Sequence, residues 1–546
     1  MAAGRVFLVG LPGAGKSTVG RRLAERLGAA FADADARIAA RAGKSVSAIF
    51  AEDGEACFRA LEREVVGELC AAAPPLVAAL GGGALGEERT RQQLRRAGTV
   101  VWLRAPAPVL LARLAAEQHR PLFAGLDAAA RQARLAALAA AREPHYRATA
   151  SLVIETGERA PDELAAEIAA RLAGACRVRV ELGARSYEVV IEAGGLERLG
   201  ERVREAGFSP GGCVLVTERT VGRLYRAPAL AALQAAGFRP AAVTLPAGEQ
   251  AKGLGAWQAL LHALRALDLD RTTPLVALGG GALTDVAGFA AATYRRGLPW
   301  VAVPTTLLGM VDAAIGGKTG INLGGTKNLV GAFHQPRLVL ADPLCLRTLA
   351  PRELCSGLGE VLKYALIGPE PLWSLVAAGH LGAGWGPDGC SAGDVQRLAE
   401  LVALCAGCKA EVVAADECEE HGVRQVLNFG HTIGHALEAA LGPARITHGE
   451  AVVLGMRAAL WLSERLGLLQ ARERARLDRP LAAFPLPPLG AGLEPARVLA
   501  HLRLDKKTER GRPRFVLLER RGQPRVGVEV GEALLCQALA WLAAPA

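Results

Sequence analysis

A short apolar run, Val6–Val9, breaks into Gly10-Leu-Pro-Gly-Ala-Gly15-Lys16-Ser17-Thr18, and this junction limits the folds open to the chain more than any other feature. The pattern G-x-x-x-x-G-K-[ST] between a strand and a helix is a P-loop, in which main-chain N–H groups and a helix N-terminus converge on phosphate. A strand that feeds a helix through so tight a loop belongs in a parallel βαβ sheet. Lys16 is predicted to reach the terminal phosphates of a nucleotide, with the Ser17 hydroxyl on Mg²⁺.

The alternation continues. Leu76–Leu80, Thr99–Leu103 and Leu152–Ile154 read as further strands between Ala/Leu/Arg-rich helices, and a helical stretch from Pro161 ends near Gly174. A polar–apolar alternation from Arg177 then opens a second unit. Its predicted strands are Cys213–Thr217, Ala241–Leu245, Leu275–Leu278, Trp300–Val303 and Leu338–Ala341. After Pro343 helices dominate to about residue 485, and Phe515–Leu518 with Val526–Val530 read as a closing strand pair. The expected architecture is α/β throughout, with a helical domain carried by the second unit. ALGGGAL occurs at both Ala79–Leu85 and Ala277–Leu283, but what precedes the two copies differs, which argues against an internal duplication.

Composition excludes several classes. The net charge of +10 is dispersed through helical stretches, and an aromatic content of 4% leaves little for base stacking, so no nucleic-acid partner is expected. The longest uncharged run, Leu69–Gly86, contains two prolines and three consecutive glycines, and no membrane span is expected. Eleven cysteines without a framework, and charge close behind Met1 in place of an export signal, predict a reducing cytoplasm. Only nine of the 64 basic residues are lysine, and all but Lys44 lie in Gly-, His- or Asp-marked segments. A compact ammonium differs from a guanidinium fork, so these lysines are site candidates for anionic small molecules.

Behind the P-loop stand Asp33-Ala-Asp35, Arg59 after Phe58, the first glycine triplet Gly81–Gly83, Arg120-Pro-Leu-Phe and Arg142-Glu-Pro-His-Tyr. Over residues 1–172 this set resembles shikimate kinase. The resemblance implies ATP and Mg²⁺ on Gly13, Ala14, Gly15, Lys16, Ser17 and Thr18, with Asp33 in the Mg²⁺ shell through water. It implies that Asp35 orients the attacking hydroxyl, that Arg59, Arg142 and Gly82 hold shikimate, and that Arg120, on a lid of about residues 113–126, reaches the transferred phosphoryl group. Bidentate guanidinium forks suit a carboxylate.

In the second half, Glu360 and Lys363 are three apart on one helical face, His431 and His435 are four apart, and His448 follows seventeen residues after His431. One Glu and two His leave a fourth Zn²⁺ position open, the pattern of a catalytic site. Cys405 and Cys408 sit inside an Ala/Leu helix and are expected to pack. Pro246–Lys252, the second glycine triplet with Asp285, Arg295-Arg296, Pro304–Thr306, Asp312, Gly316–Lys318 and Lys327-Asn328 suit phosphates, although they are not a G-x-G-x-x-G fingerprint.

Residues 177–546 resemble 3-dehydroquinate synthase. That resemblance implies an NAD-binding α/β domain (177–343) followed by a helical metal-binding domain (344–546), behind a P-loop kinase domain (1–172). It implies Zn²⁺ or Co²⁺ on Glu360, His431 and His448. NAD would lie on Glu249, Lys252, Gly281, Asp285, Thr305, Thr306, Lys318 and Lys327. The substrate, 3-deoxy-D-arabino-heptulosonate 7-phosphate, would meet Asp312, Lys363 and Lys409, and its phosphate Lys318, Asn328, Arg296, Arg424 and one of Lys506 and Lys507. His435 would hydrogen-bond or shuttle protons beside the metal, and the second half would form a homodimer. Two positions depart from the family: Thr284 replaces a glycine and would be strained if φ is positive there, and Glu218 replaces an Asp-type ribose contact.

The composite reading is a bifunctional shikimate-pathway enzyme. Two alternatives keep other chemistry open: a gluconate-type kinase fused to a polyol dehydrogenase or deoxyinosose-type cyclase, and a P-loop regulatory or nucleic-acid-binding protein with a degenerate second half. Lys318, Asn328 and Arg424 argue against a dehydrogenase, which has no phosphate to bind, and the intact Glu360, His431, His448 set argues against degeneracy.

Overall fold

The computed structural model describes every residue except 1–4, 117–122, 124, 151, 378–384, 387–388, 391–394, 443, 487–493, 505–507, 510–511 and 544–546. The chain forms two compact units, Met1–Gly174 with Ala392–Gln396, and Ala175–Ser391 with Arg397–Ala546.

Five parallel strands form the first unit's sheet, in the order Ala30–Asp33, Leu76–Ala79, Arg5–Val9, Thr99–Arg104, Leu152–Glu155. The central strand is the one ahead of the P-loop, and Val6 to Val9 are at most 2% exposed, as a strand covered on both faces requires. The loop turns through left-handed Gly13 and Gly15 (φ 81° and 87°), a backbone that side-chain-bearing residues rarely adopt. Helix Lys16–Leu27 starts at Gly15, which brings no capping side chain, so the first-turn N–H groups stay open to a ligand.

The second unit is built on seven strands, ordered Cys176–Val180, Tyr187–Ile191, Leu338–Ala341, Trp300–Pro304, Leu275–Gly279, Gly212–Glu218, Arg239–Leu245. Only the first two pair antiparallel. Register pairs Gly279 with Pro304, so Gly280-Gly281 and Thr305-Thr306 emerge side by side at the strand ends. The helix after the second glycine triplet runs Gly281–Thr293. An antiparallel hairpin, Lys318–Leu323 with Thr326–Phe333, then projects two predicted lysines.

Helices Pro351–Ile367, Val395–Ala415, His431–Leu441 and His448–Arg465 follow, and Arg512–Arg520 pairs with Gln523–Glu529 as the expected closing strands. The helices cross through glycines. A Cβ on Gly455 would lie 1.9 Å from the Gly430 carbonyl oxygen, and one on Gly449 would lie 1.9 Å from that of Ser356. Such backbone approach is what brings residues of three helices to one point.

Two sequence expectations change. Thr284 is not strained: it lies inside the helix, 1% exposed, with its hydroxyl donating to the Gly281 carbonyl at 3.0 Å. Glu218 is occupied as a helix cap, accepting from Thr220 N and Val221 N at 2.9 and 2.6 Å. Strand Tyr187–Ile191 and the hairpin were not foreseen.

Two candidate active sites

In the first unit the Lys16 ammonium lies along the P-loop, donating to the carbonyls of Gly10 (2.9 Å) and Leu11 (3.2 Å). Ser17 Oγ meets Asp33 Oδ2 at 2.5 Å, while Asp33 Oδ1 caps the next helix through Asp35 N and Ala36 N at 3.0 and 3.3 Å. Asp33 is thus both a helix cap and the hydroxyl's partner. Gly13, Ala14 and Gly15 line the loop, and Thr18 is exposed on the first helical turn.

Beyond the loop a pocket of ≈ 270 Å³ is lined by Arg59, Glu62, Gly82, Arg142 and Tyr146 among others. Glycines make it: a Cβ on Gly82 would come within 2.8 Å of the Arg142 guanidinium, and one on Gly83 within 2.4 Å of that of Arg59. Asp35 is not among the lining residues; its Oδ1 lies 3.2 Å from where a Gly81 Cβ would be, and its charge reaches Glu62 in the pocket wall. Arg59 donates to Glu62 Oε2 at 2.5 Å, and Tyr146 donates to the Gly82 carbonyl at 2.5 Å. Glu62 is 4% exposed, and burial pushes its carboxyl up despite the pull of Arg59. Sequence reasoning missed Glu62 because an Arg–Glu pair three apart reads as a solvated helix face. Arg120 falls outside the described residues, as does much of the expected lid.

In the second unit Glu360 is fully buried, its Oε1 3.2 Å from His431 Nε2 and 3.3 Å from His448 Nε2. Neither oxygen makes a well-directed hydrogen bond among the described residues; three ligand atoms converge within 4.8 Å instead. Lys363 pairs with Glu360 Oε2. Burial opposes charge on Glu360, but Lys363 and His431 outweigh it and hold the carboxyl well below its usual range. Burial pulls the His431 imidazole down against the pull of Glu360, which favours its neutral form. Burial opposes protonation of His448 too, yet the nearby carboxylates of Glu360 and Glu438 push it up to about 10. This pocket draws in positive charge, and the neutral form of His431 suits a ligand.

The same cavity, ≈ 570 Å³, is lined by Asp285, Asp312, Lys318, Asn328, Lys363, Lys409, Arg424, His431, His435 and His448, so ten predicted residues meet in one place. Asp312 is its hub, with Lys409 Nζ at 2.8 Å, Lys363 Nζ at 3.9 Å and the Tyr364 hydroxyl at 2.7 Å. Burial would raise the Asp312 carboxyl, but Lys409 and Lys363 hold it well below the usual range. Burial pushes Lys409 down to about 8 against the pull of Asp312. Arg424 is 1% exposed, donating to the carbonyls of Glu417 (2.7 Å) and Gly316 (3.1 Å). Glu419, which the sequence did not flag, pairs with Lys318.

The remaining predicted residues lie around this cavity. Lys252 is buried against Asp285 (2.6 Å) and bonds Asn328. Glu249 accepts from Asn322 at 2.7 Å. Gly281, Thr305 and Thr306 gather at the strand ends, where the buried Thr305 Oγ1 has no partner among the described residues. Lys327 is exposed on the hairpin, 3.4 Å from Glu438. Arg296 is exposed in a left-handed turn (φ 64°) and does not line the cavity. Lys506 and Lys507 lie outside the described residues. Cys405 and Cys408 are buried in helix Val395–Ala415, with both thiols pushed up by burial, as packing cysteines are. Among the described residues no helix is long and apolar enough to cross a membrane.

Fold and sites together define a P-loop α/β kinase unit followed by an α/β–helical unit with a buried Glu-His-His set. Residues 12–173 match the family model for shikimate kinase, 242–356 that for the N-terminal part of 3-dehydroquinate synthase, and 357–508 that for its C-terminal part. The 3-dehydroquinate synthase of Salinibacter ruber (strain DSM 13855 / M31) is 44% identical over 356 residues, 65% of this chain and 94% of that protein. The crystal structure of a 2-deoxy-scyllo-inosose synthase complexed with carbaglucose-6-phosphate, NAD+ and Co2+ is similar at a TM-score of 0.59 and 26% identity, covering 67% of this chain and 99% of that one. ValA, the 2-epi-5-epi-valiolone synthase of Streptomyces hygroscopicus subsp. jinggangensis 5008, is similar at a TM-score of 0.57 and 30% identity, over 66% of this chain and 97% of its own. The chain belongs to the 3-dehydroquinate synthase family and carries a shikimate kinase domain ahead of it, a fused shikimate-pathway enzyme with two activities on small-molecule substrates. The regulatory-protein alternative is thereby set aside.

Proposed function

We propose that domain 1–172 phosphorylates shikimate from ATP, and that domains 177–343 and 344–546 together convert 3-deoxy-D-arabino-heptulosonate 7-phosphate to 3-dehydroquinate and phosphate. In the kinase, Lys16 and the open N–H groups of the P-loop neutralise the phosphates, and Ser17 with Asp33 holds Mg²⁺. Arg59, Arg142 and the bare backbone of Gly82 grip the shikimate carboxylate. Asp35, beside that pocket, orients the attacking hydroxyl. Arg120 is assigned to the phosphoryl group by family pattern alone.

In the synthase, a divalent Zn²⁺ or Co²⁺ fits Glu360, His431 and His448, since a fully buried carboxylate without well-directed hydrogen bonds faces two imidazoles and draws protonation onto one of them. Such an ion supplies Lewis acidity to substrate hydroxyls. NAD⁺ fits the strand ends: the helix at Gly281 starts without a capping side chain, a Cβ on Gly281 would come within 3.0 Å of Ala313, and the Thr305 hydroxyl is buried without a partner among the described residues. Bound there by Glu249, Lys252, Asp285, Thr306, Lys318 and Lys327, it supplies a reversible hydride acceptor. The chain's own residues do the rest. Asp312, Lys363 and Lys409 fix the substrate's hydroxyls and carboxylate. Lys318, Asn328 and Arg424 receive the phosphate, with Lys318 exchanging Glu419 for it. His435 stands at the cavity wall to pass protons. Arg296 and Lys506 complete the phosphate shell by family pattern. The exposed position of Arg296 is compatible with a homodimer through the second half, and the cytoplasm is the assigned compartment.

The observation that carries the synthase reading is the meeting of His431 and His448, which converge on the buried Glu360, with four cationic side chains and Asp312 in one cavity. A direct test follows phosphate release from the heptulosonate phosphate in chelator-stripped protein. Release should require both Zn²⁺ or Co²⁺ and catalytic NAD⁺, and turnover without either would refute the assignment.

A further inference from the structure

Helix His431–Leu441 carries a third polar side chain on the face that bears His431 and His435: Glu438, four and three residues along the same stripe. Its Oε2 lies 3.0 Å from His448 Nδ1, while the opposite ring nitrogen, Nε2, faces Glu360 at 3.3 Å. Its other oxygen, Oε1, is 3.4 Å from Lys327 Nζ on the hairpin. The Glu438 side chain is 16% exposed and that of Lys327 62% exposed, so the His448 contact is the sheltered one.

We infer that Glu438 is a positioning residue for the metal site, fixing the His448 ring so that Nδ1–H donates to Glu438 and Nε2 is left for an ion shared with Glu360 and His431. A carboxylate on the far nitrogen of a ligating imidazole fixes the ring's orientation and raises its basicity. The position also explains why His435, Glu438 and His448 form a second convergent set. His448 Nδ1 is committed to Glu438, so that set supports the first and is not a second ion site. The inference rests on the metal reading proposed above.

The test is metal affinity of the full chain, measured by competition with a chromophoric chelator, together with the visible spectrum of the Co²⁺-loaded protein. E438A should weaken Zn²⁺ binding toward the upper end of the roughly 10–100-fold loss typical of such partners, and E438Q, whose amide oxygen still accepts from Nδ1–H, toward the lower end. The Co²⁺ spectrum should shift in E438A and recover in part in E438Q. Shikimate-dependent ADP formation should be unchanged in both, which reports an intact chain. If E438A proves unfolded, E438Q carries the test alone. Affinity and spectrum equal to wild type in E438Q, or two ions per wild-type chain falling to one in E438A, would overturn the inference while leaving the metal reading intact. A wild-type chain that binds no Zn²⁺, or an H431A variant that binds it as well as wild type, would sink the metal reading and the inference with it.

Discussion

Single residues carry the pH behaviour. Lys409 has its ammonium pushed down to about 8 from an ordinary 10.5, chiefly by burial. Between those values the unfolded lysine holds a proton that the native one has lost, so stability rises with pH across that window. Activity runs the other way, because the cavity loses a cation for its anionic substrate. The kcat/KM of the synthase should therefore fall above pH about 8, and K409M should lack that alkaline limb; a limb surviving in K409M would assign it elsewhere. In the kinase, D35N should lower kcat by about 10²–10⁴-fold with the ATP KM little changed, since only the orientation of the attacking hydroxyl is lost. Steady-state kinetics of ADP formation checks this. Residue identity was legible in the sequence where chemistry is rare, as for scarce lysines and paired imidazoles. It was not legible for Glu62, Tyr364, Glu419 and Glu438, whose roles come from what folds against them: a glutamate three residues from an arginine looks the same on a solvated face as in a closed pocket.

At the scale of elements, close backbone approach sets the geometry of the synthase site. Gly430, Gly434 and Gly455 let helices His431–Leu441 and His448–Arg465 touch main chain to main chain, which brings His431 and His448 to the same carboxylate. G455A has no room, and should cost ~1–3 kcal/mol or more through forced helix separation. Thermal melting should show the second unit destabilised and Zn²⁺ binding weakened, with the kinase activity retained; unchanged melting would mean the helices separate freely. The central strands of both large sheets were legible because parallel strands buried on both faces are continuous apolar runs. Tyr187–Ile191 was missed because only its partners Cys176–Val180 and Leu338–Ala341 define it as a strand. The hairpin was missed because its glycines and polar residues read as a phosphate loop, which hid the ladder of Lys318–Leu323 with Thr326–Phe333.

For the whole molecule, the sequence displayed two α/β units and a helical domain, because a P-loop and a Glu-His-His set are each short patterns with strict chemistry. Their surroundings, the glycine-lined pocket at Arg59 and Arg142 and the cavity around Asp312, needed coordinates. Each unit has its own buried core, the first around Phe7 and Trp102, the second running from the sheet into the helices. Two cores and two sets of polar groups predict two separable activities. The most direct measurement follows both reactions in one preparation, ADP formation with shikimate and phosphate release from the heptulosonate phosphate, in wild type, K16A and H431A. K16A should abolish the first rate and spare the second, and H431A should do the reverse. Loss of both rates in either variant would contradict the account of two self-sufficient sites on one chain.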